Sequence, residues 1–260
     1  MEQLQYHEGR TEISQMGKVA LIDRLTDGTA CRQDDCAVIG NTLVTVQTLV
    51  EGVNFDMMYT PLKHLGYKAV SVAVSNIAAM NGTPRQVLVS VAVSNRYSVE
   101  ALDELYAGIR LCCNRYEVQL VGGETATSRT GMVLSVTAIG EVEQGRIAWR
   151  HGASTHELVC SSGDLGSAYA GLLVLEREKV TYQADPNFQP DLDGYDYVLE
   201  RFLKPEPRMD IVKALREKDV VPTSMTDVSR GLADALLHLT RASKCGCEVY
   251  EERLPIDYQV

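Results

Sequence analysis

The chain has 260 residues, 35 Asp+Glu against 25 Lys+Arg, and a formal charge of −10; with 45% apolar and 23% charged residues it is neither disordered nor fibrous. Its length predicts two lobes, at ~100–150 residues for the commonest domain size. Residues 1–150 carry 16 acids and 13 bases and residues 151–260 carry 19 and 12, so neither half attracts nucleic acid or an anionic membrane through its bulk field.

In chain order, apolar residues thicken into a strand over 43–50. A helix over 65–80 follows, its stripe made of Ala69, Ala73, Asn76, Ile77 and Met80. Such small residues predict close packing on a sheet, and Asn81-Gly82 with Pro84 supplies the stop. Residues 86–93 alternate as a strand. From Ser98 a periodic helix presents Leu102, Leu105, Ile109 and Cys113 on one face. A short strand over 118–121 runs into Gly122-Gly123-Glu124, and a strand over 132–139 closes the half. The order β-α-β-α-β-β is that of a ferredoxin-like α/β layer.

The polar, glycine-containing stretch from Glu143 to Arg146, followed by His151-Gly-Ala-Ser-Thr, predicts the domain boundary, with lobes at 1–147 and 148–260. Beyond it the pattern predicts a strand over 158–161, a helix over 167–179 and an acidic surface loop over 181–194. Helices over 195–204 and 208–218 flank Lys204-Pro-Glu-Pro-Arg208. A strand over 224–228, a helix over 232–243 and a strand over 247–250 then start a second α/β layer. No apolar run approaches the ~20 residues of a membrane helix. The N-terminus has no signal-peptide core, so the expected location is cytoplasmic. Seven cysteines without a Cys-x-x-Cys pair argue against a disulfide framework or a zinc site, and the five histidines lack metal-ligand spacing.

Four polar turns are positioned to carry chemistry: Gln33-Asp34-Asp35-Cys36, Ser75-Asn76 with Met80-Asn81-Gly82, Gly122-Gly123-Glu124-Thr125, and Thr226-Asp227-Val228-Ser229-Arg230-Gly231. Singly, each has a plain structural reading as an Asx turn, a tight turn or a helix cap. There is no Walker-type phosphate loop, dinucleotide fingerprint or nucleophile elbow. As a set, the turns offer scattered carboxylates and backbone N–H groups suited to Mg²⁺ ions carrying a polyphosphate.

Together with Arg10-Thr-Glu-Ile-Ser14, Leu21-Ile-Asp-Arg-Leu25, Leu49-Val-Glu-Gly-Val-Asn-Phe55, Leu120-Val-Gly-Gly-Glu-Thr125, Gly163-Asp-Leu-Gly166 and the Lys204–Arg208 motif, these segments resemble, in order along nearly the whole chain, bacterial thiamine-monophosphate kinases. That family belongs to the aminoimidazole ribonucleotide synthetase-like superfamily. The resemblance implies a two-lobe α/β (α+β) fold. Its ferredoxin-like N-terminal lobe binds ATP and forms a barrel in a homodimer. The implied reaction is transfer of the γ-phosphate of ATP to thiamine monophosphate, with several Mg²⁺ ions in a cleft between lobes. Carried over by position, Asp35 and Asp227 are metal ligands, with Thr45 beside the metals and Glu124 in place of a family aspartate. Arg150 points to the phosphates, Tyr106 lies near the adenine, Gly123 and Ser229 contact ATP, and Asn54 takes the place of a substrate-facing histidine.

Four positions depart from the family's ligand set: Val46 replaces a threonine, and Gln47, Asn76 and Arg230 replace aspartates, leaving the cluster four charges less negative. The family pattern also continues past Val260, with a Gly-Gly-Glu-Asp-Tyr-Glu-Leu segment and further strands, so the resemblance implies an incomplete second lobe with an open sheet edge. Three function classes follow. One is a kinase using Asp35, Glu124, Asp227 and Arg150. The second is a pseudokinase-like dimer holding nucleotide or phosphate through Arg150, Arg230 and Ser229 without turnover. The third is a chain with no site at all.

Overall fold

The computed structural model describes residues 11–31 and 33–260; Arg10 of the first motif and His7 lie outside them. By contact density the chain divides into two units, Met1–Gln33 and Asp34–Val260. The first holds two short helices, α1 (Ile13–Met16) and α2 (Lys18–Thr26), and Gln33 Nε2 donates to Asp23 Oδ1 at 2.6 Å.

The second unit is built on a five-stranded sheet of β1 (Ala37–Ile39), β2 (Thr42–Val50), β3 (Thr83–Val93), β4 (Gln119–Thr127) and β5 (Val133–Glu141). Their spatial order is β1-β2-β5-β3-β4, with β3 and β4 parallel and the other pairs antiparallel. β1, three residues long, is an addition to the expected order and too short to show a period. Alternation sets the faces. Leu43, Thr45 and Leu49 of β2, Leu134, Val136 and Ala138 of β5, and Val87, Val89 and Val91 of β3 are buried, while their neighbours in sequence are not. Pro84, which has no N–H, sits where the β3–β5 ladder shifts register.

The covered face is packed by α3 (Leu62–Ala78), which in turn packs on α4 (Val99–Arg115). α3 starts a turn before the expected helix. It ends as expected: Asn81 takes a left-handed φ of 60°, and the Gly82 N–H closes on the Ile77 carbonyl at 3.0 Å. α4 is capped by Ser98, whose Oγ accepts from the Ala101 N–H at 3.3 Å. The helices cross through two glycines. A Cβ on Gly66 would stand 2.0 Å from the Leu105 carbonyl oxygen, and one on Gly108 would stand 1.8 Å from that of Lys63.

Gly122-Gly123 is not a tight turn, because β4 continues through it, with a register shift at Val121 just before. Position 123 lies so close to β3 that a Cβ would be 1.8 Å from the Val89 carbonyl oxygen, so glycine serves close approach here.

Beyond β5 the described residues form helices α5 (Ser167–Ala184), α6 (Asp196–Leu203), α7 (Met209–Glu217) and α8 (Leu232–Ser243) and one 3₁₀ turn, Glu251–Arg253. α5 continues past its expected end into the acidic stretch. Its Val174 and Leu175 form a second small core with Leu199, Tyr59 and Phe202. None of the strands expected over 158–161, 224–228 and 247–250 forms, and the only pairing there is an isolated bridge between Leu165 and Ile256. A strand needs a neighbour's ladder. Leu158 is 91% exposed, and the backbone around 225 bonds elsewhere, the Met225 N–H going to the Trp149 carbonyl at 2.9 Å.

The Lys204–Arg208 motif fastens this region to α3 and α4. Glu206 accepts from the Tyr67 hydroxyl at 2.9 Å and from the Tyr116 hydroxyl, and pairs with Arg115 at 3.0 Å and Lys204 at 3.5 Å. The Ser71 hydroxyl donates to the Pro205 carbonyl. Burial and the Glu206 carboxylate together push the Tyr116 hydroxyl up to about 12.

Candidate functional site

Asp34-Asp35-Cys36 leads into β1 over the C-terminal end of α3. The Cys36 N–H donates to Met80 Sδ at 3.1 Å and its thiol to the Asn76 carbonyl at 3.2 Å. Burial, then the Asp35 and Asp227 charges, push that thiol well above its ordinary range, so it stays an inert SH. Beneath it, Asn76 Nδ2 donates to the buried Thr45 hydroxyl at 2.8 Å.

Arg150 reaches this loop from the segment after β5. Its NH2 and Nε contact Asp35 Oδ1 at 2.5 Å and Oδ2 at 3.2 Å, and its backbone N–H donates to Asp34 Oδ1 at 2.9 Å. The Asp35 side chain is 1% exposed and that of Arg150 15%. Thr226 supplies a third contact, its hydroxyl donating to Asp35 Oδ2 at 3.0 Å with Arg150 Nε 3.2 Å away. The Arg150 carbonyl accepts from Ser224 Oγ at 2.6 Å and Ser243 Oγ at 3.2 Å, which holds segment 224–231 and the end of α8 against the same point.

Next to Thr226, one buried oxygen of Asp227 has no hydrogen-bond partner. Burial, then the Asp35 charge, push its carboxyl up to about 6, against the opposing Ser229 hydroxyl and Arg150. A raised folded-state value means that ionisation costs stability at pH 7 and that the cost is relieved as pH falls through 6. His64, driven down chiefly by burial, contributes in the opposite sense as pH falls below its ordinary value. The readout is therefore the difference from Asp227→Asn. From pH 7 to 5.5 the wild-type Tm should gain on the variant's by about 2–4 °C for each kcal/mol relieved, and parallel melting curves would refute the shift.

Asp35, Arg150 and Asp227 are thus brought together, with Asn76 and Thr45 below them. Ser229 joins them through its hydroxyl on the Asp227 carboxyl, while the other expected residues stand apart. Glu124 lies in the cross-sheet row Thr48–Ser135–Ser90–Glu124, on the face opposite Thr45 and Gln47, and its partner position Gly123 lies beside Val89. Val46 also points to that face, 58% exposed. Tyr106 packs half-buried on α4 against the core. Asn54 closes the turn after β2, its Oδ1 accepting from the Val50 N–H at 2.8 Å. Ser229 and Arg230 are exposed on the turn into α8. Thr226 lies in the fourth polar turn singled out in the sequence, but nothing local there marks its contact with Asp35.

Mg²⁺ favours several oxygen ligands and carboxylate charge. Both Asp35 oxygens are already engaged, Asn76 turns its N–H toward Thr45, and no three His, Cys, Asp or Glu side chains among the described residues are grouped to hold a metal. This donor set does not fit a multi-ion cluster.

The sequence profile described as AIR synthase related protein, N-terminal domain, matches residues 33–142. Thiamine-monophosphate kinase of Bacillus subtilis is 35% identical over 214 residues, 82% of this chain and 63% of the relative. That of Aquifex aeolicus is 31% identical over 252 residues, 96% of this chain and 77% of the relative. The chain belongs to the thiamine-monophosphate kinase family. It spans somewhat under two thirds of the Bacillus subtilis kinase's length. Among solved structures, AaThiL complexed with AMPPCP and TMP superposes with a TM-score of 0.80 at 28% identity, covering 96% of this chain and 78% of that one. The aminoimidazole ribonucleotide synthetase-like α/β fold is the one the resemblance implied. No helix among the described residues is long and apolar enough to cross a membrane.

Proposed function

We propose that this chain is a thiamine-monophosphate kinase of low turnover, binding ATP and thiamine monophosphate where Asp35, Arg150 and Asp227 meet. The reaction forms a bond from a phosphate oxygen of thiamine monophosphate to the γ-phosphorus. It breaks the bond from that phosphorus to the β,γ-bridging oxygen, giving ADP and thiamine diphosphate. Such transfer rests on positioning and on cations facing the developing charge. The observation that carries the reading is the convergence of Asp35, Arg150, Thr226 and Asp227 from three distant segments. The guanidinium offers a fork matched to phosphate oxygens, while Tyr106, Gly123, Glu124, Ser229 and Asn54 are proposed to serve the nucleotide and substrate as their family positions do.

Gln47, Asn76 and Arg230 remove the negative charge that would gather the family's Mg²⁺ ions, so we place Mg²⁺ outside the stable make-up of this site and derive no step from it. We further propose lobes at 1–147 and 148–260, supported by the polar turn after β5. A cytoplasmic location and a homodimer joined through the open sheet face also belong to the proposal, the dimer supported by the exposed Val46 and Val50 on that face.

A coupled assay of ADP release tests the reading. Thiamine monophosphate should raise the rate above an ATP-only blank, yet leave it ~10²–10³-fold below the Bacillus subtilis kinase, the usual cost of a lost electrostatic contact. The triple change Gln47→Asp, Asn76→Asp and Arg230→Asp should raise the rate at least ~10-fold. A second reading, binding without turnover, is favoured by Arg230 standing where a ligand aspartate belongs. Tight binding of both ligands with no ADP above the blank would replace the first reading with it.

A further inference from the structure

The Asp35 carboxylate sits on the Arg150 guanidinium in the two-pronged manner in which a phosphate would, through NH2 to Oδ1 at 2.5 Å and Nε to Oδ2 at 3.2 Å. The Thr226 hydroxyl holds Asp35 Oδ2 at 3.0 Å from the other side. An acid in this setting has its charge answered and both oxygens engaged by groups of this chain. Of the groups around it that resemblance would make metal ligands, Asn76 is neutral and gives its N–H to Thr45, and Asp227 keeps a carboxylate oxygen without a partner.

We propose that Asp35 is the internal counter-ion of Arg150 rather than a metal ligand, and that phosphate-bearing ligands enter by displacing the carboxylate from the guanidinium without a divalent cation. This rests on the reading that the site binds ATP. Carboxylate and phosphate compete for one fork, so Asp35 lowers phosphate affinity while it answers the charge of a half-buried arginine. Thr226 is a positioning residue in the exchange: it stays bonded to Asp35 when Arg150 leaves and keeps the freed acid from following it.

The two roles for Asp35 predict opposite signs. A metal ligand, once removed, weakens nucleotide binding; a competing counter-ion, once removed, strengthens it. The experiment titrates ATP and AMPPCP calorimetrically into the full chain, in EDTA and in Mg²⁺, after thermal melting has established that each variant is folded. Wild-type affinity should differ less than ~3-fold between the two conditions, Asp35→Asn should tighten binding ~10-fold in EDTA, and Arg150→Met should lose at least that much. Thr226→Val, which frees the acid to follow Arg150 without touching charge, should weaken binding by ~2–3-fold, and Thr226→Ser should restore it. Should Asp35→Asn fail to fold, the EDTA comparison and the Thr226 pair decide alone. Binding that falls more than ~10-fold in EDTA, or that weakens in Asp35→Asn, overturns the proposal while leaving nucleotide binding intact. Absence of binding in both conditions overturns the nucleotide reading and this one with it.

Discussion

Gly108→Ala should destabilise the protein by about 3–4 kcal/mol, which at this size lowers Tm by roughly 8–15 °C. The added Cβ would stand 1.8 Å from the Lys63 carbonyl oxygen and 2.7 Å from its carbon, both backbone atoms that no rotamer change can move. The helices would have to part by more than an ångström. α3 has nowhere to go, since Ala69, Val70, Ala73 and Val74 on its body are fully buried against the sheet. Gly66→Ala should behave alike, its Cβ falling 2.0 Å from the Leu105 carbonyl oxygen. The double variant should lose less than the sum, because the first spreading makes room for the second. Thermal melting decides this; a Tm within about 2 °C of wild type for either single change would contradict the crossing.

Glu206→Ala is the second large effect, about 2–4 kcal/mol. One carboxylate serves two tyrosine hydroxyls and two cations, so its removal strands the hydroxyls of the buried Tyr67 and the half-buried Tyr116, takes the ion-pair partner of Arg115 and leaves Lys204 with Glu200 at 3.3 Å. Glu206→Gln keeps an acceptor without the charge and should lose about half as much. Beyond the fall in Tm, the chain should become cleavable by trypsin after Arg208 under native conditions. Unchanged resistance there, with a lowered Tm, would mean that the residue stabilises without holding the segment down.

The first half of the fold was legible because its strands and helices bury one face each, and burial writes a period into the sequence. Ser98, Asn81 and the stripe through Ala69, Ala73 and Ile77 carry their meaning locally. What failed depended on partners. The segments around 158, 224 and 247 have strand-like composition, but pairing is a property of two segments, and here the backbone near 225 spends its bonds on Trp149. Gly122-Gly123 misled because glycine permits a turn and a close approach alike. Asp35 meets Arg150 across 115 positions and Thr226, beside Asp227, across 191, a convergence that family resemblance suggested and spacing never could. Glu206 was hidden for the same reason, its tyrosines lying 139 and 90 positions away.

The strand order carries a last consequence. β2 and β3 never touch; each pairs with β5, which is the last strand of the sheet in sequence and sits between them. On a ribosome, a chain that has not yet released residues 133–141 holds two strands with a gap between them and a helix, α3, with no continuous surface to lie on. The sheet therefore closes late and all at once, through contacts far apart in sequence, which is the slow kind of folding step. Until then the two inner edges of β2 and β3 are open to other chains, so the interval before β5 arrives is when this protein is most exposed to aggregation.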